Sequence, residues 1–498
     1  VMVSEARLGD YQRNIVVQGE YVFSVGEAPF SHYAYFTNRE SDDGGQIYFT
    51  DRTLIDGPVH TNGNFAFYKN PWFGGAVTSA GCRFYSNRTT YRSECENRPT
   101  TRSSGGYFYS SRLTSDTSMR PSSTRPNVNG HAPEFAAGVS WRAQYVPLPT
   151  NSHSQQTVAL GTGRDDQGIT FNGDLDSLTL FAGDANGNQP RLVSGSWTPA
   201  ATHQYVTATQ TGVIGTRTVI ERRSRTQGRF GGWGSWSSWS EVSSCTPGTF
   251  GNTQYQCRER REDVIGTVTT RYRFNEDNLL ERFNESTGQW QAESKPFNGV
   301  IYVNGAVERL RGPDRASGYS GDGTRTPPAV AAFAQMTLAS PSDIRITSDI
   351  RYEQPPCVRQ PRRVNGVAEP ALCQNLSYQN VLGIYTSGGD VIVGNANRDA
   401  SLNAPDNVHV HAVLMSSSGQ IRVENYQTGR RGDFNLLGGM IQENRGIFGL
   451  VDTSGFERVY TYDPRMRLGM APPFFPTTGL GSVQDVRFFS FGQREQLY

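Results

Sequence analysis

The stretch FNGVIYVNG at residues 297–305 decides the fold class of this chain. Four consecutive apolar residues stand between two Asn-Gly corners, a pattern typical of a short buried strand between tight turns. The same style recurs at residues 47–49, 65–67, 336–338, 344–346, 384–385, 391–393, 408–415, 421–423 and 436–441. Strands this short cannot bury a face individually, but they share one core when they stack as rungs. We therefore predict a parallel β-solenoid, with a β-sandwich as the alternative.

The composition agrees with a turn-rich, all-β protein. The 498 residues include 54 glycines and 26 prolines, and aromatic residues make up 11%. These values disfavour a coiled coil, and no run of eighteen apolar residues exists that could span a bilayer as a helix. The length allows two or more domains.

Two segments differ from the rung pattern. Apolar residues recur near a period of 3.6 over residues 1–28, and Pro29 follows, so we predict an amphipathic N-terminal helix. It is either a plain covering helix or the exposed half of a longer one whose hydrophobic half is missing. Residues 150–296 contain longer alternating segments, which predict an antiparallel meander inserted between the rungs.

Six cysteines fall into three short-range pairs, and none has the CxxC spacing of a zinc knuckle or redox motif. An even count at such spacing predicts disulfides between close neighbours, and hence an extracellular protein, whereas the alternative is six unrelated buried thiols. The predicted pairs are Cys82–Cys95, Cys245–Cys257 and Cys357–Cys373.

Several longer motifs resemble a known family, the large pilin-like surface proteins of thermophilic and radiation-resistant bacteria, which include minor type IV pilins of natural competence. The motifs lie at residues 55–64, 70–75, 297–305, 380–385, 412–415, 436–439, 462–466 and 471–476. The resemblance covers about residues 46–80 and 297–476, together with the N-terminal segment. These motifs belong to the scaffold, and none is a ligand-binding signature.

The resemblance implies a mainly β fold, with a type IV pilin-like N-terminal helix, an antiparallel sheet and a large inserted β-solenoid. The expected parts are the C-terminal half of the helix with its connection, a first solenoid portion with a disulfide loop, an antiparallel meander with a Trp/Arg-rich disulfide loop, the main solenoid and a C-terminal strand. They correspond to residues 1–40, 41–149, 150–296, 297–476 and 477–498.

The resemblance also implies a function and a location. The protein is expected at the tip of a type IV pilus, where it binds extracellular DNA without sequence preference for uptake in natural transformation. Another competence pilin is the expected protein partner. We expect the sequence to lack an N-terminal hydrophobic half-helix, through which alone the protein would be anchored in the inner membrane before assembly.

Arginine clusters are the candidate DNA-binding residues. The chain has 47 Lys+Arg, of which two are lysines, but its net charge is only +1, so an anion site must be a local patch. The alternative is that these arginines are solvated or paired internally. The candidates are Arg222, Arg223, Arg225, Arg229, Arg258, Arg260, Arg261, Arg362, Arg363, Arg430 and Arg431.

Three tryptophans, Trp233, Trp236 and Trp239, precede Cys245 in a Gly/Ser-rich stretch. With the arginines after Cys257 this region resembles part of a thrombospondin type 1 repeat, in which tryptophans and arginines stack alternately. One interpretation is a structural loop layered by cation–π contacts. The other is a surface that stacks the bases of single-stranded or frayed DNA, or sugars.

No catalytic or metal-binding pattern is present. His409 and His411 could share a strand face, but the sequence places no third ligand, and we predict no metal and no cofactor. No nucleophile elbow, phosphate-binding loop or zinc-protease motif exists, so we predict that the protein is not an enzyme. The alternatives to a DNA-binding minor pilin are a pilus-tip adhesin for glycans or surfaces and, less favoured, a β-helix polysaccharide-degrading enzyme.

Overall fold

The computed structural model describes the backbone of residues 2–8, 11–42, 45–82, 84–87, 90–93, 105–108, 114–116, 127–128, 130–316, 321 and 323–497. Side chains are described for residues 27–40, 47–82, 105–107, 127–128, 130–316, 321 and 323–479.

The described residues form 41 strands and one α-helix. The first strands are β1 Met2–Leu8, β2 Tyr11–Pro29, β3 Tyr35–Arg39, β4 Ser41–Asp42, β5 Gly45–Gln46, β6 Leu54–Ile55, β7 Val59–Thr61, β8 Ala66–Phe67, β9 Trp72–Phe73, β10 Val77–Ser79, β11 Phe84–Asn87, β12 Thr90–Ser93, β13 Gly106–Phe108, β14 Thr114–Asp116, β15 Glu134–Phe135 and β16 Val139–Trp141. The middle of the chain contains α1 His153–Leu160, β17 Gln167–Asn172, β18 Ser177–Gly183, β19 Arg191–Val193, β20 Ser196–Thr198, β21 His203–Thr226, β22 Ser240–Val242, β23 Gly248–Phe250, β24 Thr253–Phe274, β25 Leu280–Asn284 and β26 Gln289–Ala292. The last part contains β27 Phe297–Asn304, β28 Val307–Arg311, β29 Gln335–Ser340, β30 Ile344–Ile346, β31 Cys357–Arg359, β32 Arg362–Val364, β33 Val367–Glu369, β34 Leu372–Cys373, β35 Val381–Thr386, β36 Val391–Val393, β37 Val408–Val423, β38 Arg430–Asn444, β39 Gly449–Leu450, β40 Ser454–Tyr462 and β41 Thr477–Leu497.

The main body is built on a parallel ladder of short strands. Its order is β16, β10, β7, β3, β38, β37, β35, β29, β27 and β17, and every neighbouring pair is parallel. A second parallel ladder joins β18, β28, β30, β36 and the end of β37. Because parallel strands in register place equivalent side chains above one another, each short strand adds one layer to a common core.

One row of this core shows how the layers align. It runs through Ile169, Ile301, Leu338, Ile384, Leu414, Met440, Tyr35, Val59, Val77 and Val139, each paired in register with the next. All ten side chains are buried. The apolar residues between the Asn-Gly and Ser-Gly corners of the sequence therefore contact each other from rung to rung. No single short segment could bury its apolar residues alone.

The N-terminal segment corrects the predicted fold class. Where the sequence predicted a pilin-like helix over residues 1–28, the structure has the strands β1 and β2, which form an antiparallel sheet with β41. The 3.6-residue period was the wrong interpretation, because β-branched and aromatic residues dominate 15–17 and 21–25 and suit a strand. The mainly β character holds. Among the described residues, no helix is both long and apolar enough to cross a bilayer.

The chain divides into two compact units. Unit 1 comprises residues 1–206 and 271–498 and contains both parallel ladders, whereas unit 2 comprises residues 207–270. The chain passes from unit 1 to unit 2 within the long strand β21 and returns within the long strand β24. Unit 2 contains most of the arginine and tryptophan candidates.

Candidate functional site

The tryptophan segment of unit 2 runs alongside β21. The backbone amide of Gly234 donates to the carbonyl of Thr226 at 2.9 Å, and that of Ser237 donates to the carbonyl of Ser224 at 2.7 Å. Further along, β22 pairs antiparallel with β21, so that Glu241 lies opposite Glu221. The segment is thus held at backbone level, and its tryptophans lie over the side chains of β21.

Tryptophan and arginine side chains alternate in a single stack of six layers, here called the Trp–Arg stack. From one end to the other, the distances between guanidinium Cζ and ring centroid are 5.2, 4.7, 5.0, 4.7 and 4.4 Å. Contacts of this length are cation–π interactions. The layers are Trp233, Arg225, Trp236, Arg223, Trp239 and Arg258.

Each stacked arginine is also held at one edge. The Nε atoms of Arg223 and Arg225 donate to the side-chain oxygens of Gln256 and Gln254, at 2.8 and 2.7 Å. The Nε atom of Arg258 donates to Glu221 at 2.6 Å. In the described part of the chain these three arginines make no other side-chain hydrogen bond, so their Nη groups remain available. The guanidinium planes are therefore oriented before any ligand arrives.

Sequence reasoning missed the two glutamines. Gln254, Gln256 and Arg258 follow one another at every second position of β24, so they project from the same face of the strand. That alternation was the signal that could have identified Gln254 and Gln256 as edge partners of the stacked arginines.

Unit 2 carries the positive charge excess of the chain. It contains eight arginines, no lysine and five carboxylates, a net charge of +3, whereas the whole chain is +1 and the remainder is therefore −2. Hydrogen bonding from Arg258 lowers the pKa of the Glu221 carboxyl, so this carboxylate is ionised beside the stack at neutral pH. Arg217 pairs with Glu262 at 2.8 Å.

The predicted arginines of unit 2 lie on two faces. Arg260 lies on the same face as the stack, because it approaches Glu221 at 3.5 Å and Glu262 at 3.6 Å. Arg222 instead lies over the ring of Tyr255, with Cζ 5.0 Å from the centroid, on the opposite face. Strand alternation places Arg261 on that opposite face as well. The stack face thus collects Arg223, Arg225, Arg258 and Arg260, and Arg229 lies in the exposed turn before Trp233.

The remaining candidates lie in unit 1 and contact carboxylates. Arg362 lies 3.1 Å from Glu369, and Arg363 lies 3.6 Å from Glu134. Arg430 approaches Glu457 at 3.2 Å. Arg431 contacts Asp406, Asn395 and the carbonyl of Ala404. These pairings neutralise part of their charge, and a DNA-binding role for the four residues stays a prediction.

Two disulfides join the neighbours that the cysteine spacing paired. Cys245–Cys257 lies in unit 2, and Cys357–Cys373 joins β31 to β34 in unit 1. Cys95 lies outside the described residues, so the pair Cys82–Cys95 stays a prediction. The two disulfides fit an extracellular protein.

The two histidines of β37, His409 and His411, are not part of a metal site in the described residues, where no group of three metal-binding side chains occurs. His409 and His411 line a cavity of about 370 Å³ together with Arg351 and Arg359. Nδ1 of His411 accepts a hydrogen bond from the backbone amide of Tyr352 at 3.0 Å. Burial lowers the pKa of His411 well below its ordinary value, so this ring is neutral and structural.

Comparisons with known proteins give one match. Residues 1–82 match the model of a domain of unknown function, DUF4900. No curated protein matches this chain. No solved structure matches it either. The matched segment contains no residue of unit 2, so it carries no information about the Trp–Arg stack.

Proposed function

We propose that this protein binds extracellular DNA without sequence preference, and that the stack face of unit 2 is the binding surface. The observation that carries the proposal is the Trp–Arg stack. The guanidinium planes of Arg225 and Arg223 are clamped between indoles, and that of Arg258 lies against Trp239 at the end of the stack. All three are bonded at Nε, while their Nη edges remain available for phosphate oxygens.

Clamping matters because a long arginine side chain loses conformational freedom when it binds. In the Trp–Arg stack that freedom has already been lost on folding, so less affinity is sacrificed when a phosphate is bound. The guanidinium fork can then donate two parallel hydrogen bonds to one phosphate. Arg223 and Arg225 stand two residues apart on β21, a spacing of about 6.6–6.8 Å along the strand.

Charge supports a polyanion as the ligand. The net charge of +3 is concentrated in 64 residues of a chain that is otherwise slightly acidic. Phosphate contacts position a nucleic acid but read no bases, so the expected binding is independent of sequence.

The setting of this binding is also part of the proposal. We place this binding at a type IV pilus tip, during DNA uptake in natural transformation, and in contact with another competence pilin. These three statements rest on the sequence resemblance alone. The strands β1 and β2 stand where the helix was expected that would have supported a pilin-like anchor.

The experiment is a salt titration of the full chain against a labelled random-sequence duplex of about 20 base pairs. We expect a dissociation constant in the micromolar range or weaker at physiological salt. The logarithm of the affinity should fall linearly with the logarithm of salt, by about 0.9 for each phosphate contacted. Neutral dextran should not compete. A salt-independent affinity, or no binding at about 50 mM salt, would contradict the proposal.

A further inference from the structure

The Trp–Arg stack leaves little aromatic surface for a ligand. Trp236 lies between Arg225 and Arg223, with Cζ–centroid distances of 4.7 and 5.0 Å. Trp239 lies between Arg223 and Arg258, at 4.7 and 4.4 Å. Both faces of each indole are thus covered by guanidinium groups. A nucleobase or a sugar ring has no open face on which to stack at these two positions.

Trp233 differs because it ends the stack. Among the described residues its ring contacts one guanidinium, that of Arg225, and 38% of the residue is exposed. Phe230, in the turn just before it, is fully exposed. Phe250 is 58% exposed and is the last residue of β23, before the turn to β24, and its ring centroid lies 6.1 Å from that of Tyr255.

These three aromatic residues lie at the same end of unit 2. The amide of Gln227 donates to the carbonyl of Asn252 at 2.8 Å, which joins the two turns. A bond from the amide of Gly228 to the carbonyl of Gly232 closes the first turn at 2.7 Å. We call Phe230, Trp233 and Phe250 the aromatic tip. Exposed aromatic rings lose contact with water when a ligand covers them, so each ring of the tip can serve as a stacking platform.

We infer that the aromatic tip stacks unpaired nucleobases, so that the preferred ligand is single-stranded DNA or duplex DNA with a single-stranded end. The inference rests on the proposed function and adds the substrate class. A base placed on Trp233 becomes the next planar layer of the Trp–Arg stack. Arg225 and Arg229 then flank the phosphates of that nucleotide.

A nucleic acid fits the aromatic tip better than a lipid surface does. In the described part of the chain no ring contact joins these three residues, and the ring of Phe250 contacts Tyr255 instead, so they form no continuous apolar face for insertion into a bilayer. The arginines of the stack instead extend away from the tip in a row, first Arg225 and Arg223 on β21 and then Arg258 on β24, as a linear chain of phosphates requires. Base stacking also tolerates any sequence, since every base has a π face.

The test uses the full chain and fluorescence anisotropy with three labelled probes: a dT oligonucleotide of about 15 nucleotides, a blunt duplex of equal length and the duplex with a dT overhang. Stacking of one base changes affinity by about 5- to 150-fold. We expect the dT oligonucleotide and the overhang duplex to bind more tightly than the blunt duplex by a factor in this range. Quenching of tryptophan emission by dT should disappear in Trp233→Phe.

The variants separate stacking from other roles. Phe230→Ala should lower affinity for dT within that range and leave blunt-duplex affinity unchanged. Phe230→Leu, which keeps apolar bulk without a π face, should behave like Phe230→Ala. Ile265→Ala removes an apolar side chain that is 59% exposed elsewhere in unit 2 and should change neither affinity. An unchanged far-UV circular dichroism spectrum shows that each variant is folded.

Each remaining outcome overturns the inference. If wild-type protein binds blunt duplex as tightly as dT, the tip stacks no bases and the proposed function stands. If Phe230→Ala weakens both probes equally, the tip contacts the backbone only. If no probe binds, the proposed function fails as well. If vesicles of phosphatidylglycerol bind in a Phe230-dependent manner and dT does not, the tip contacts membranes.

Discussion

Arg445 and Glu40, which are 405 positions apart in the sequence, form an ion pair of 2.9 Å in which each side chain is only 2% exposed. Cζ of Arg445 also lies 3.8 Å from the centroid of the Phe49 ring. The pair lies next to the junction of β3 and β38, where residues close to the N-terminus complete the parallel ladder. The segment matched by the family model therefore packs against residues 440–445, through the pairing of β3 with β38 and through this ion pair.

The first prediction concerns this ion pair. Arg445→Met leaves the Glu40 carboxylate buried without its partner and should lower the free energy of unfolding of unit 1 by about 3–5 kcal/mol. Arg445→Met with Glu40→Gln should recover much of that loss, because no buried charge remains. Urea denaturation measures both variants.

The control is Arg52→Met. Arg52 also pairs with carboxylates, Asp452 and Glu457, but its side chain is 43% exposed. This variant should lose at most about 1 kcal/mol, since exposed ion pairs stabilise little. If Arg445→Met and Arg52→Met lower the free energy of unfolding equally, burial of the Arg445–Glu40 pair is not the cause of its contribution to stability.

The second prediction concerns the layers of the Trp–Arg stack. Trp236→Ala removes two cation–π contacts and Trp233→Ala removes one. At about 0.5–1 kcal/mol for each exposed contact, we expect losses in the unfolding of unit 2 of about 1–2 and 0.5–1 kcal/mol. Trp236→Ala should also weaken duplex binding, because Arg223 and Arg225 lose the ring between them. A larger loss of stability for Trp233→Ala would contradict the order of the layers.

The third prediction distinguishes the two faces of unit 2. Arg260 and Arg261 are adjacent, exposed and equally charged, but they project from opposite faces of β24. Arg260→Gln should lower the steepness of the salt dependence by about 0.9, whereas Arg261→Gln should leave it unchanged. The measurement is the salt titration with blunt duplex. The reverse result would place the DNA on the face of Tyr255.

The fourth prediction concerns the disulfides. Replacing Cys245 and Cys257 by serine opens a loop with a sequence separation of 12 and should destabilise unit 2 by about 3 kcal/mol. Duplex affinity should fall, because the strands that carry the stacked arginines are less well fixed. The matched control replaces Cys357 and Cys373, in unit 1, and should leave duplex affinity unchanged. Equal effects on binding would exclude a specific role for the disulfide of unit 2.

The fifth prediction is a pH dependence. The pKa of Glu221 is lowered in the folded protein, chiefly by its hydrogen bond from Arg258, relative to an ordinary value of 4.5. Its stabilisation of unit 2 is therefore complete above about pH 4.5 and is lost as the pH falls through the lowered folded-state pKa. Thermal unfolding followed by tryptophan emission should show this loss.

Glu221→Gln should remove that part of the pH dependence. Glu241→Gln is the matched control, since Glu241 lies opposite Glu221 but is 56% exposed and pairs with Arg217 at 3.5 Å. It should retain the acid-induced loss. Identical pH profiles for wild type and Glu221→Gln would contradict the assignment.

Local patterns in the sequence were sufficient for some of these features. The short apolar runs between glycine corners, such as residues 300–303, indicated buried strands because both features are encoded within a few residues. Alternation along β21 and β24 indicated antiparallel strands, and the resemblance of the tryptophan segment to part of a thrombospondin type 1 repeat indicated cation–π layers as one interpretation. The cysteine spacing correctly predicted the partners of the two described disulfides.

Other features depended on partners far away in the chain. Residues 1–28 carry a pattern that fits a helix, but Met2–Leu8 and Tyr11–Pro29 are strands because β41 lies alongside β2, with Pro29 opposite Thr477. Likewise, the sequence presented three equivalent tryptophans, whereas packing covers both faces of two of them and leaves Trp233 at the end of the stack. The sequence alone determined which residue types and short strands are present. Tertiary structure decided which of them meet, because β-pairing and stacking join residues without regard to their separation along the chain.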